Sequence, residues 1–168
     1  MKPVKKTFEI LAFKALNRDI DGRVLVDWAI DMLVAGYNTE HLTILAGETE
    51  PFNPFQMEKL INNVLSELQL DYSDMEQTIK NYAYYLIDIS INNELDSFKV
   101  LNILKDICLE LEYEEFLMEF YMLYYAKDDL IYSENQHYWD GATRENIDQI
   151  ISEYFIEWKS NYEIVVVN

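Results

Sequence analysis

Apolar residues recur along most of this chain at intervals of three and four, the spacing that puts them on one face of an α-helix. Between Arg23 and Ala35 they are Val24, Leu25, Trp28, Met32 and Leu33, with Asp27 and Asp31 on the opposite side. A second stripe, Phe55, Leu60, Ile61, Val64, Leu65 and Leu68, predicts a helix to about Gln69. A third contains Ile79, Tyr82, Ala83, Leu86, Ile87 and Ile91, and a fourth Val100, Leu101, Leu104, Ile107, Cys108 and Leu111. After a short break around Tyr113, a helix is expected from Glu114 to about Ser133. The last carries Ile147, Ile150, Ile151, Tyr154, Phe155 and Trp158.

The residues between the stripes supply starts and stops. Gly36 fits the position just past a helix end, where a left-handed backbone costs glycine little. Thr39 can cap a short helix through Leu42 and Leu45 to Gly47. Asn53-Pro54 pairs a capping side chain with a proline at the first helical position. Ser73 or Asp74, then Asp96 and finally Thr143 are expected to open the later helices, and Asn92-Asn93 to close one. With 4 Gly and 3 Pro in 168 residues, turns are few and long helices are favoured over many strands. The prediction is an all-α fold, an irregular array of about seven or eight helices packed antiparallel through short links. It forms one domain over 1–168, with the ends 1–7 and 164–168 as candidates for flexibility. The β-branched run Ile164-Val165-Val166-Val167 suits a short β-like tail or a contact with a second copy.

Composition agrees with a folded core: half of the residues are apolar, too many for a disordered acidic chain. Charge changes the picture more. There are 31 acids and 13 bases, a net −18, and the imbalance is uneven. Residues 1–23 carry a net +3, while 24–168 carry −21. Such a surface repels nucleic-acid phosphates and anionic lipid headgroups, and it attracts a basic protein. The lone Cys108 excludes an intramolecular disulfide. No leader-like or membrane-spanning apolar run is present, so a cytoplasmic protein is expected.

Candidate chemistry is sparse. Arg23–Ala35, the turn at Gly36 and Thr39–Ala46 have the outline of a helix-turn-helix, but the second helix has no Lys or Arg to read base edges. The stretch Trp28–Gly47 resembles segments of bacterial proteins, a likeness that implies no activity. Glu134 and His137 are spaced as half of a carboxylate di-iron signature, whose other pair and further glutamates are missing. More loosely, Asp128, Asp129, Glu134, His137 and Asp140 could ligate a divalent metal; a polar surface connection would contain the same residues. Cys108 falls on an apolar stripe, where a thiol is inert. The densest charge feature is Asp106, Glu110, Glu112, Glu114, Glu115 and Glu119, with no base between Lys105 and Lys127. Adjacent tyrosines (Tyr84-Tyr85, Tyr124-Tyr125) cannot all point inward, so some must meet solvent.

These features predict a non-enzymatic module that holds a basic protein on an acidic, tyrosine-bearing surface, as an immunity protein or antitoxin does. No cofactor is expected. The alternatives are a metal-dependent enzyme or sensor at 128–140, and a homo-oligomeric scaffold element that uses the tail.

Overall fold

The computed structural model describes residues 3–164 and contains eight α-helices, one 3-10 turn and no strand among them. They are α1 (Thr7–Ala15), α2 (Gly22–Val34), α3 (Glu40–Ala46), α4 (Pro54–Glu67), α5 (Met75–Ile91), α6 (Ser97–Glu110), the 3-10 turn Glu115–Leu117, α7 (Met118–Tyr132) and α8 (Ile147–Asn161). The all-α expectation therefore holds. Apart from Ile164, the tail lies outside the described residues. The chain divides into two compact units, residues 3–82 and Ala83–Ile164, and the division falls within α5.

In residues 3–82, α2 packs on α3 and α4, and α3 on α4. Their stripes bury Leu25, Trp28, Ala29, Met32, Leu42, Leu45, Ile61, Val64 and Leu65, joined by Ile10 and Leu11 of α1. A buried polar chain is set into this core. The Trp28 Nε1–H donates to Thr7 Oγ1 at 2.9 Å, and the Thr7 hydroxyl points on to Met32 Sδ at 3.7 Å. Thr7 is fully buried, so its hydroxyl must find partners inside, and these two satisfy it. α1 is not marked by the sequence pattern. Its N-cap position, Lys6, makes no side-chain capping bond, and Phe8, Ile10, Leu11 and Ala12 are buried over a wide arc while no residue of the helix is fully exposed.

In Ala83–Ile164, α6 packs on α7, and α7 on α8. Leu101, Leu104, Ile107 and Cys108 of α6, Leu117, Phe120 and Leu123 of the 3-10 turn and α7, and Ile147, Ile151 and Phe155 of α8 are all buried. The helix starts largely follow the capping signals. The Asn53 side chain accepts from Phe55 N and Gln56 N at 3.0 and 3.1 Å, and that of Asp96 accepts from Phe98 N and Lys99 N at 3.1 and 3.2 Å. Of Ser73 and Asp74, it is Asp74 that accepts from Gln77 N, at 3.0 Å. Thr143 is one exception, because α8 begins four residues later. The Asn146 side chain holds a turn between them, accepting from Thr143 N at 2.7 Å and donating to Gly141 O at 2.9 Å.

Five of the helix ends share one device. After α2, Gly36 N bonds Leu33 O and Tyr37 N bonds Met32 O, both at 3.0 Å, with Gly36 at φ 95°. The same paired bonds close α1 at Asn17, α4 at Gln69, α5 at Asn93 and α6 at Glu112, each in the left-handed region. These four closures use L-residues that have Cβ atoms to accommodate there. Gln69→Gly, at an exposed position, is therefore expected to raise stability by ~1 kcal/mol, or about 2–4 °C in melting temperature, measured by thermal unfolding.

Thr39, predicted to cap α3, occupies the N-cap position without a side-chain bond to the helix. Glu67 at the end of α4 serves instead. Its carboxylate accepts from the His41 backbone N–H at 3.2 Å and lies 2.5 Å from the His41 ring Nδ1. The hydrogen bond from the His41 ring, aided by the backbone bond, holds the Glu67 carboxyl below its ordinary value of 4.5. A carboxyl depressed in the folded state stabilises above its unfolded pKa, and that contribution fades as pH falls through the folded one. Glu67→Ala should accordingly lower the melting temperature at pH 7, with the gap to wild type narrowing in acid, as calorimetry at pH 7 and about pH 3 would show.

Candidate functional site

The acidic segment sits on the α6–α7 hairpin. Left-handed conformations at Glu112 and Tyr113 (φ 56° and 67°) turn the chain after α6, and the 3-10 turn leads it into α7. Asp106, Glu110, Glu112, Glu114, Glu115 and Glu119 are all exposed along this path. Five of them belong to the end of α6, the turn and the 3-10 segment. Glu119 is already engaged, because the Tyr154 hydroxyl donates to its Oε2 at 2.6 Å. Burial among Phe120 and Trp139 raises the Tyr154 pKa, and the bond to Glu119 adds to the rise.

Beside these acids runs a ribbon of aromatic rings. Tyr113 meets Tyr121 edge-on at 5.6 Å, Tyr121 meets Tyr125 at 4.8 Å, and Tyr125 meets Tyr138 at 5.5 Å and Tyr124 at 5.1 Å. Tyr124 stacks flat on Phe98, centroids 4.9 Å apart and planes within 8°. Tyr113 is 54% exposed and Tyr138 40%, while Tyr121, Tyr124 and Tyr125 are half-buried. Burial pushes the Tyr121 and Tyr124 phenols up in pKa; neighbouring phenols add to the rise at Tyr121, and Asp128 to that at Tyr124. Tyr121 and Tyr124 therefore offer neutral rings.

Two of the chain's own cations already use it. Lys105 Nζ stands 4.7 Å from the Tyr124 ring centroid and 2.5 Å from Asp106 Oδ1. Lys127 Nζ lies 5.6 Å from the Phe98 ring and is ion-paired with Asp148. In both, an ammonium is shared between an aromatic face and a carboxylate. At Lys105 burial works against the charge, yet the Asp106 bond and charge more than offset it and raise the ammonium's pKa.

The five residues considered for a metal are not brought together. Asp128 and Asp129 lie half-buried on α7, whereas Glu134, His137 and Asp140 are exposed in the connection to α8. Glu134 and His137 are not on a helix at all. Among the described residues no group of three or more His, Cys, Asp or Glu side chains is placed to hold a metal ion.

The polar side chains that organise the connection are others. Gln136 Oε1 accepts from the backbone N–H of Tyr138 and Trp139, both at 2.8 Å, and its Nε2 donates to Trp139 O and Ala142 O at 2.6 and 3.2 Å. Arg144 Nε donates to Leu130 O and Ser133 O at 2.8 and 3.1 Å. Gln136 thus positions Tyr138 against Tyr125. A single glutamine in a polar stretch gives no pattern from which that role could be read.

Behind the ribbon, Cys108 is fully buried with its Sγ 3.8 Å from Met118 Sδ, and burial pushes its thiol up in pKa. A thiol-reactive disulfide dye is expected to release almost nothing from the native protein and one equivalent after denaturation, as followed by absorbance. Compared with family models, curated proteins and solved structures, the chain matches none.

Proposed function

We propose that this chain is a non-enzymatic protein-binding module, and that the face formed by the end of α6, the 112–114 turn, the 3-10 turn and α7 holds a basic partner. The observation that carries this reading is the seating of Lys105, at once on the Tyr124 ring and on the Asp106 carboxylate. A partner's lysine or arginine can be received in the same way at Tyr113, between Glu112 and Glu114. Rings supply contact area and cation–π attraction, and carboxylates orient the incoming charge.

The net charge of −18 strengthens the attraction at long range. It weighs against direct binding to nucleic acid or to an anionic membrane. Among the described residues, no helix is long and apolar enough to cross a membrane. Masking of a basic effector, in the manner of an immunity protein or antitoxin, is the kind of task this face suits; the example is an analogy of composition.

Affinity capture of the tagged protein from its native lysate at about 50 and 300 mM salt tests the reading. A stoichiometric basic protein is expected at low salt and is reduced or lost at high salt. Tyr113→Ala, and separately Glu112→Gln with Glu114→Gln and Glu115→Gln, should each weaken that complex by about tenfold with the helical circular dichroism unchanged. A partner held equally well by both variants, or no basic partner at either salt, would overturn the assignment.

A further inference from the structure

We infer that the unit formed by residues 3–82 carries a separate small-ligand site, a cleft of about 710 Å³ between the α1–α2 connection and the start of α4, which takes an organic cation on an apolar body. Pockets of ~300–1,000 Å³ suit ligands of ordinary small-molecule size. The apolar lining consists of Ile20, Leu25, Phe52, Phe55 and Met57. Phe52 is fixed in place: its ring lies so close to Gly22 that a Cβ there would approach Phe52 Cδ2 to 2.6 Å. Phe55, by contrast, is 89% exposed in the first turn of α4, a large apolar side chain left almost entirely in water. An aromatic or aliphatic body in the cleft would remove part of that ring from solvent.

The polar lining decides the sign of the ligand. Three carboxylates, Asp19, Asp21 and Glu58, face two cations, Lys14 and Arg18. Lys14 is ion-paired with Glu58 and has only 10% of its side chain exposed. Arg18 lies over the Phe13 ring at 5.4 Å and has further contacts. Asp21 is occupied in capping α2 through Arg23 N at 2.8 Å. Asp19 is exposed, and among the described residues it makes no hydrogen bond or ion pair. Glu58 keeps 59% of its side chain exposed beyond its bond to Lys14. A cation between Asp19 and Glu58 with its body against Phe55 finds a carboxylate and a ring face together, whereas an anion meets the same two carboxylates.

Three probes of one shape test this by protein-observed NMR: phenethylamine, phenethyl alcohol and 3-phenylpropionate, which differ in charge. The amine alone is expected to shift backbone amides of residues 17–25 and 52–58 saturably. Phe55→Ala and Asp19→Asn should each weaken it about tenfold, with spectra otherwise dispersed as in wild type. Both positions are exposed, so a folding failure is not expected, and the spectra would reveal one. No saturable shift, equal response to all three probes, or unchanged affinity in both variants would overturn the site. So would shifts spread over the acidic hairpin, which would mark bulk attraction to a protein of charge −18. The assignment is independent of the protein-binding face, which lies in Ala83–Ile164 and is tested by other variants.

Discussion

In a chain with four glycines, the constraint on which the rest depends is how each helix ends. The last carbonyls of a helix need donors, and the usual solution places a glycine in the left-handed region just past the end. Here five helices close by the same two backbone bonds, and only α2 has glycine at the turning residue. The device satisfies the last carbonyls and turns the chain off the helix axis within the two residues that follow. It also makes the candidate face. Because Glu112 and Tyr113 are both left-handed, α6 gives way to α7 abruptly, and Tyr113 is held outside the core against Tyr121.

Local signals were the legible part of this fold. Asn53 and Asp96 cap as expected because the capping bond spans only two or three residues, and Gly36 closes α2 for the same reason. The apolar stripes likewise identify their own inner faces. What the sequence left hidden depends on contacts distant along the chain or on a residue type that carries no signal. Gln69 and Glu112 turn left-handed without being glycine or asparagine, α1 is buried over a wide arc and not along one narrow stripe, and α8 waits for a turn built by Asn146. The candidate face divides in the same way. The exposure of its acids followed from a run of carboxylates, but the engagement of Glu119 by Tyr154 and the meeting of Tyr113 with Tyr121 require the packing of α7 against its neighbours. The acids and histidine at 128–140 have the residue types of a ligand set, but Gln136 and Arg144 organise the connection, and among the described residues no three such side chains are grouped to hold a metal ion.

The electrostatics follow from how few cations there are. Lys6, Lys14, Arg23, Lys80, Lys105, Lys127 and Lys159 are each bound to a carboxylate of the chain itself. Surface pairs of this kind add little to stability, and their main effect is on the outward field. These seven bases are neutralised locally, and the surplus carboxylates, concentrated where no base occurs between Lys105 and Lys127, are left to meet whatever approaches. The same scarcity makes the pairing of Lys159 with the mostly buried Asp88 notable: at 2.6 Å, and with Tyr84 5.5 Å from the ammonium, it is an ion pair sheltered by an aromatic ring.

The trans cap on α3 bears on the order in which this unit forms. Seven residues make a helix too short to persist alone in water, where nucleation costs more than so few bonds return. The carboxylate that satisfies the α3 entrance comes from Glu67, 26 positions along the chain at the far end of α4. α3 therefore cannot act as a seed. It is expected to form once α4 is present to supply both its cap and its apolar wall, so a perturbation in α3 should speed unfolding more than it slows folding.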